Sequence, residues 1–528
     1  MGIVKRMKRP SSRGGGAEEK KFPPRGDTPA QDTDAVMSFY GIKDSFPADA
    51  RAEAARAGAL MQMPGARLDL RKEFVFTCDP ESARDYDDAL SVKRGRGGVT
   101  TLGVHIADVS HFVPEGGALD REAARRSTSV YFADRVVPML PHELSDDLCS
   151  LVPGEDRLAF SVFMDFDSAG HMTGRRFAKS VIRSKGRFTY EQVMKTIAGG
   201  AKGPADAAAG GRKGRDAIIA IHSLAAKLRR RRFAEGALDL ELPEAKISLD
   251  AFGELSSVEL RAYDESHQMV EECMVAANEA VAAELWGNGI KILARLHEPP
   301  DPEKLEMLRA DLASAGVECG DLLSRKAFSR MTDAIKKSPI YPTLAMMVLR
   351  SMKRAVYDGG TIGHWGLAKR FYAHFTSPIR RYPDLTVHRQ LAAYLAGRPC
   401  RVPSAALAKA AKHATEAEER AAEAERALAE IKKYRVLDAQ SRMRNPPTYA
   451  ATISRCLPPG CFVEVPDLAV SGFVRAFRLP GGYARFDATT GSMRSRSGHE
   501  WKPGDALKVR AASVDWRLRR LDFAPVRD

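Results

Sequence analysis

Four aspartates crowd into one short stretch of the chain, Cys78-Asp79-Pro80-Glu81-Ser82-Ala83-Arg84-Asp85-Tyr86-Asp87-Asp88-Ala89-Leu90. Asp79, Asp85, Asp87 and Asp88 follow one another at spacings of six, two and one, between apolar β runs at 74–78 and 89–92. A strand-loop-strand path would fold the intervening loop so that all four carboxylates converge. Converging carboxylates repel unless a hard dication neutralises them, and oxygen ligands select Mg²⁺ or Mn²⁺. Such an ion activates water and balances the charge developing on a phosphodiester during in-line displacement. An EF-hand calcium loop fails here, because the fifth and sixth positions counted from Asp85 are Ala89 and Leu90. A solvated acidic turn is the ordinary fate of an Asp-rich loop. Tyr86 and the flanking apolar runs argue against it, since they anchor the loop in a core.

The elements that must position these residues follow from the pattern around them. Short β runs (FVFTC, ALSV, TLGVHIADV) begin at residue 74, and helical stretches are expected at 265–286, 303–315 and 404–440. The last has Ala and Glu/Arg at helical spacing, with most of its charges expected on a solvated face. Pro446 and Pro447 mark a break, and five β runs divided by Gly and Pro follow within 449–526. Their number suits a five-stranded OB-type barrel. The reading is thus a mixed α/β (α+β) catalytic domain over 71–440 and an OB-type domain over 446–528. Ahead of these stand a flexible basic tail over 1–33 and a helical lead-in over 34–70. Residues 199–216, rich in Ala, Gly and Lys, are expected to form an exposed loop.

The chain has 528 residues and a net charge of +14, which favours a polyanionic partner through counterion release. No apolar run approaches the roughly 20 residues that a membrane span needs, and residues 1–6 do not open a secretory leader. The seven cysteines are scattered without metal-ligand spacing. That pattern suits a reducing cytoplasm and argues against disulfides.

With these residues in place, the string DPESARDYDDALSV resembles the active-site signature of the ribonuclease II/ribonuclease R (RNB) family. VHIADVSHFV (104–113), SVYFADRVVPMLPHELSDDLCSL (129–151), VEECMVAAN (270–278) and YAHFTSPIRRYPDLTVHR (372–389) are similar to further blocks of that family, in its order. The resemblance implies a Mg²⁺-dependent enzyme that processively hydrolyses single-stranded RNA from a free 3′ end, releasing nucleoside 5′-monophosphates. It also implies a monomer and a channel that admits only single strands. By the same resemblance Asp79, Asp85, Asp87 and Asp88 bind the metal, and Asp87 and Arg380 carry the chemistry. A guanidinium keeps its charge and presents paired donors to phosphate oxygens, which suits Arg380 to the transition state. Arg381 is read as a phosphate contact. Tyr131 matches the aromatic that stacks on the 3′-terminal nucleotide, Tyr190 and Glu271 the residues that sense the ribose 2′-OH, and Glu418 a glutamate near the 3′ end.

The sequence departs from the family in places. Leu238 and Leu240 stand where a phenylalanine usually clamps the terminal base, so a looser clamp and a longer final product are expected. No tandem cold-shock domains precede the lead-in, nor does a long Lys-rich tail follow. Weaker binding is expected in consequence, partly offset by the basic tail and the Arg229-Arg230-Arg231-Arg232 cluster. Two other functions compete: an RNA-binding protein on an inactive nuclease scaffold, and a DNA-directed nuclease.

Overall fold

The computed structural model describes residues 22–62, 66–199, 211–240, 245–260, 263–338, 340–400, 402–488 and 490–526. A seven-stranded mixed sheet carries the acidic stretch. Across the sheet its strands run Leu68–Asp69, Met172–Arg183, Asp156–Phe166, Thr100–Ala107, Asp88–Arg94, Phe76–Asp79 and Gly186–Thr189. The two outermost pairs are parallel and the rest antiparallel. Side chains alternate across a strand, so each strand feeds two cores. Leu102, Val104, Ile106, Phe160 and Val162 join helices Gly211–Ala234 and Glu265–Gly287 on one face. Ala107, Leu158, Ala159 and Phe163 join Ala50, Ala54 and Leu119 on the other. A strand covered on both faces must be apolar throughout, which is why these segments read as continuous β runs.

One polar rung crosses this interior. His105 bonds Ser91 Oγ at 2.8 Å and Ser161 Oγ at 2.7 Å, and Ser161 in turn meets Ser180 Oγ at 2.6 Å. Burial pushes the His105 imidazole down to about 3, with Lys93 acting in the same direction.

The helix Ser404–Ser441 bridges the sheet to the C-terminal domain. Ala411, Ala414, Ala417, Ala421 and Ala424 are buried along it, and these small side chains form its inward stripe. Not all of its charges are solvated: Lys432 and Lys433 are buried and donate to backbone carbonyls of Gly253 and Ala469. Beyond it, strands Tyr449–Leu457, Gly460–Val465, Val470–Arg475, Arg520–Pro525 and Ala506–Asp515 pair in that order, and the last pairs with the first. This closes a five-stranded OB-type barrel. Three short strands between residues 485 and 501 form an inserted sheet that the sequence pattern did not announce.

Two expectations need correction. Residues 1–21 of the supposed flexible tail lie outside the described residues, but residues 22–33 are tied to the rest of the molecule at several points, chiefly through the buried Asp32. Asp32, fully buried, accepts from Arg435 at 2.7 and 2.8 Å and pairs with Lys432 at 3.1 Å. Arg25 lies over Trp516 at 4.4 Å, and Arg519 over Phe22 at 4.4 Å. Composition alone hid this, because the partners are some 400 residues away in sequence. Of the loop expected at 199–216, residues 200–210 lie outside the described residues, whereas 211–216 are the first turns of helix Gly211–Ala234. Its following Ala and Ile residues supply the buried face that sustains a helix there.

The His105 rung yields a pH dependence. The unfolded chain protonates this histidine near pH 6.5 while the folded chain keeps it neutral, so the unfolded state binds more protons below that pH. The stability it contributes is present above pH 6.5 and is lost as the pH falls towards 3. We expect the urea midpoint to drop between pH 7.5 and pH 5, by less in His105→Gln than in the parent chain. An identical drop in the variant would show that other groups carry the loss.

Candidate active site

Asp79 ends one strand of the sheet and Asp88 begins its antiparallel neighbour, so residues 80–87 must turn back within a short loop. Backbone and side-chain ties fix that turn. The Tyr86 hydroxyl donates to Ala83 O at 2.9 Å, and its N–H donates to Ser150 Oγ at 3.0 Å. Ser150 in turn donates to Arg84 O at 2.7 Å. Arg187 donates to Pro80 O at 3.0 Å and stands over the Tyr86 ring at 5.4 Å. From the sheet, the Ala107 N–H reaches Asp87 O at 2.8 Å. Ser150 and Arg187 both bond to the loop, yet no spacing in the sequence marks them.

The carboxylates sit in a poorly solvated place. Asp87 is 4 % exposed; its Oδ1 accepts from the Ile379 N–H at 2.9 Å, and its Oδ2 faces Arg380 Nε at 3.7 Å. Burial raises its carboxyl well above the usual carboxylate range, with Arg380 pulling the other way. Asp79 is pushed up to about 8, first by burial and then by the charge of Asp88. Burial raises Asp88 to about 6, against the pull of Arg380. Asp85 accepts from the Tyr131 hydroxyl at 3.0 Å.

Arg380 and Arg381 are adjacent but do different things. Arg380 is half exposed and donates to Ser377 Oγ at 3.2 Å, leaving most of its fork free near Asp87. Arg381 grips the fully buried Asp384 through two bonds of 2.8 and 2.9 Å, and that pairing holds its pKa above the ordinary range despite burial. Its expected role as a phosphate contact is therefore weakened: the guanidinium is already committed to the first turn of helix Tyr382–Leu395.

The remaining candidates divide in the same way. Tyr131 is 38 % exposed, its hydroxyl held by Asp85 and its N–H by Glu425 Oε1 at 2.7 Å. Its ring therefore stands open beside the acidic loop. Tyr190 stacks on His267, with ring centroids 3.9 Å apart, and burial together with Cys78, Asp88 and Asp79 raises its phenol. Glu271 and Glu418 sit in ion pairs of their own, with Arg232 at 3.0 Å and with Arg295 at 2.5 Å. Leu238 and Leu240 pack against a separate helical core around Leu308, Phe328 and Leu344. The arginine cluster is likewise divided by helical periodicity: Arg232 is buried against Glu272, while Arg231 pairs with Glu235.

The expected convergence of all four aspartates is incomplete. Among the described residues, no three acidic, histidine or cysteine side chains gather into a metal-holding group. Asp85 turns to Tyr131, and Asp87 spends one oxygen on the Ile379 N–H. The donor set still fits a hard dication. Asp79 Oδ2 and Asp87 Oδ2 are buried without a hydrogen-bond partner, and an orphaned buried carboxylate oxygen is unfavourable until something positive meets it.

Comparison with known proteins gives the family. Residues 67–397 match the RNB domain. The chain is 36 % identical over 515 residues to ribonuclease R of Thermotoga maritima, covering 95 % of this chain and 71 % of that relative. The chain belongs to the RNB family. Ribonuclease R of Escherichia coli is 34 % identical over 499 residues, which span 92 % of this chain and 59 % of that one. RNB-family ribonuclease R enzymes are 3′-to-5′ exoribonucleases, and this chain is an enzyme of that class. The structure of Mycoplasma genitalium RNase R in complex with ribose methylated single-stranded RNA aligns with a TM-score of 0.83 at 26 % identity, over 95 % of this chain and 78 % of that one. Yeast Ssd1, a pseudonuclease, shares the fold with a TM-score of 0.71 at 20 % identity, over 89 % of this chain and 59 % of that one. The fold by itself therefore does not mark activity.

The two arginines are separable by experiment. Arg380→Lys is expected to lower the single-turnover rate on single-stranded RNA by roughly 100-fold, with affinity little changed. Arg381→Ala strands the buried Asp384 and is expected to reduce stability by about 3 kcal/mol in urea titration. An Arg380→Lys defect confined to affinity would make Arg380 a simple phosphate contact.

Proposed function

We propose that the enzyme is a Mg²⁺-dependent, processive hydrolase that takes single-stranded RNA with a free 3′ end and releases nucleoside 5′-monophosphates. The observation that carries this reading is that Asp79 Oδ2 and Asp87 Oδ2 are buried without a hydrogen-bond partner, the latter facing the Arg380 guanidinium at 3.7 Å. Asp79, Asp87 and Asp88, with Asp85 beside them, would hold Mg²⁺, or Mn²⁺ in its place. A cation bound there lowers the pKa of water and offsets charge on the phosphoryl group.

The chain's own side chains supply the rest. Arg380, planar and permanently charged, is placed to bind the phosphoryl oxygens as negative charge builds on them. Tyr131 offers a ring for the terminal base, and stacking of this kind is sequence-tolerant. Tyr190, close to Asp79 and Asp88 in electrostatic terms, is positioned to meet the terminal ribose, where a 2′-OH separates RNA from DNA. Glu271 and Glu418 join the RNA path only by exchanging their present arginine partners for it, and Arg381 reaches a phosphate only from within its pair with Asp384. The complex of M. genitalium RNase R with single-stranded RNA supports the choice of substrate. The enzyme is taken to act as a monomer in the cytoplasm, in keeping with its unpaired cysteines and the lack, among the described residues, of a helix able to span a membrane.

A 5′-labelled single-stranded RNA resolved on a sequencing gel tests this. With Mg²⁺ the label is expected to collapse to short end products, without a ladder of long intermediates while intact substrate remains. EDTA and the Asp87→Asn variant should each leave the RNA intact, the variant still binding it. RNA bound but uncut by the parent chain would make this an inactive RNB scaffold. Equal degradation of DNA of the same sequence would remove the 2′-OH assignment. Tyr131→Ala is expected to weaken binding of a short oligonucleotide by about 5- to 100-fold, matching the roughly 1–3 kcal/mol of one base stack.

A further inference from the structure

We propose that Cys456 and Cys461 form an oxidisable dithiol, a modification site in the barrel that closes to an intrachain disulfide when a peroxide reaches it. Sequence spacing gave no hint of a pair, yet the two residues lie directly opposite each other where strand Tyr449–Leu457 meets strand Gly460–Val465. Their sulfurs are 3.2 Å apart. Among the described residues, no other two cysteines are in thiol contact.

The hairpin holds this pair in one register. One step beyond it, Leu457 and Gly460 close the turn through Pro458 and Pro459. Gly460 has φ of 152°, and a Cβ there would stand 2.1 Å from Val474 O. Only glycine lets the hairpin lie so close to the next strand, so the turn cannot slip without a clash. Opposed residues of an antiparallel pair have Cα atoms about 4.5–5.5 Å apart, inside the range that disulfides span. Closing the bond therefore asks for side-chain rotation rather than rebuilding of the barrel.

Two readings of the pair differ in their consequences. As packing alone, both thiols would be small apolar fillers beside Ile453, Val463 and Val474. As a dithiol, one sulfur must be able to act as a nucleophile. The hydrogen bond shared between the two thiols holds Cys456 below its ordinary pKa, against the opposing effect of burial. Cys456 is 4 % exposed and Cys461 fully buried, which admits a small peroxide on local opening and excludes bulky disulfide reagents.

The chemistry balances with a peroxide as oxidant. The Cys456 thiolate sulfur attacks one peroxide oxygen, the O–O bond breaks, and the departing hydroxide leaves as water with the proton that Cys456 gave up. Cys461 then loses its proton as its sulfur attacks the sulfenic sulfur of Cys456. The S–O bond breaks, and the second hydroxide leaves as water with that proton. Two thiols and one hydrogen peroxide thus give one disulfide and two waters; the thiols supply the two electrons.

The neighbours indicate what the cross-link would alter. Arg455 and Phe462 are paired one step along the same hairpin and point outward. Phe462 is 38 % exposed and meets Phe473 edge-on at 5.1 Å. A bond directly beneath this outward pair locks the hairpin that carries it.

The test uses the full chain, treated with hydrogen peroxide, quenched with catalase, then alkylated under denaturing conditions and mapped by mass spectrometry. A loss of about 2 Da, with a linked peptide joining Cys456 to Cys461 and reversal by dithiothreitol, is the expected result. Hydrogen exchange across 449–465 should slow several-fold in the oxidised chain, and Cys456→Ser should show neither change. The proposal is overturned if all seven thiols remain alkylatable, if another pair links first, or if Cys456 passes to sulfinic acid without linking. Should Cys456→Ser disturb the barrel, the peptide map of the parent chain decides alone.

Discussion

Asp79, Asp87 and Asp88 are held together where water cannot screen them, and each is driven towards its protonated form by burial. An isolated loop with these residues would splay to relieve the repulsion. It does not, because the turn between Asp79 and Asp88 is bonded on several sides: Tyr86 and Ser150 within and beneath it, Arg187 across it, and Ala107 from the adjoining strand. Each of these ties is worth little alone, about 1 kcal/mol. Together they keep the carboxylates in place at a site that favours a cation strongly and water poorly. The site's appetite for positive charge is thus a property of the sheet, not of the aspartates by themselves.

The same logic extends outward to Tyr131. Its hairpin packs through Val130, Phe132 and Val137 onto Val36 and Met37 of helix Asp32–Tyr40 and onto Ala421, Ala424 and Leu428 of the bridging helix. Helix Asp32–Tyr40 is in turn fastened by the ion pairs of Asp32 with Arg435 and Lys432. Removing one partner of such a buried set leaves an uncompensated charge, which costs about 3–5 kcal/mol. The open ring beside the acidic loop therefore depends on residues 22–40 as much as on its own strand. A segment that composition places in a flexible tail is part of the apparatus that positions the exposed aromatic beside the acidic loop.

Most of the architecture was legible in the sequence, and the reasons it was legible also mark where reading stops. The strands show as apolar runs because they are covered on both faces, and the bridging helix shows through its alanine spacing. The four aspartates stand out because charged residues between apolar runs have few structural uses, whereas Arg380 is singled out only by the likeness of its block to the family's. What stayed hidden are contacts between residues distant in the chain. No spacing reveals that Ser150 and Arg187 hold the acidic loop, that Arg381 is committed to Asp384, or that Cys456 faces Cys461 across a turn. Nor could residue types alone show that Asp85 turns to Tyr131, so that the aspartates stop short of a closed ligand set.

That incompleteness puts weight on the individual site residues rather than on the fold. The fold is shared with a pseudonuclease, so the presence of a sheet, bridging helix and barrel decides nothing. The decisive features are those that a purely structural site would be better without. Asp87 Oδ2 and Asp79 Oδ2 are buried without a hydrogen-bond partner, and an uncharged side chain in either place would relieve the repulsion. Arg380 keeps its fork open at 3.7 Å from Asp87 instead of closing into a bidentate pair, as Arg381 does with Asp384 one residue on. Two neighbouring arginines thus face the same kind of partner, and only one satisfies it. A fold that can build the closed pair, yet leaves the other open beside orphaned carboxylate oxygens, retains electrostatic strain that a bound cation and a phosphoryl group would together relieve.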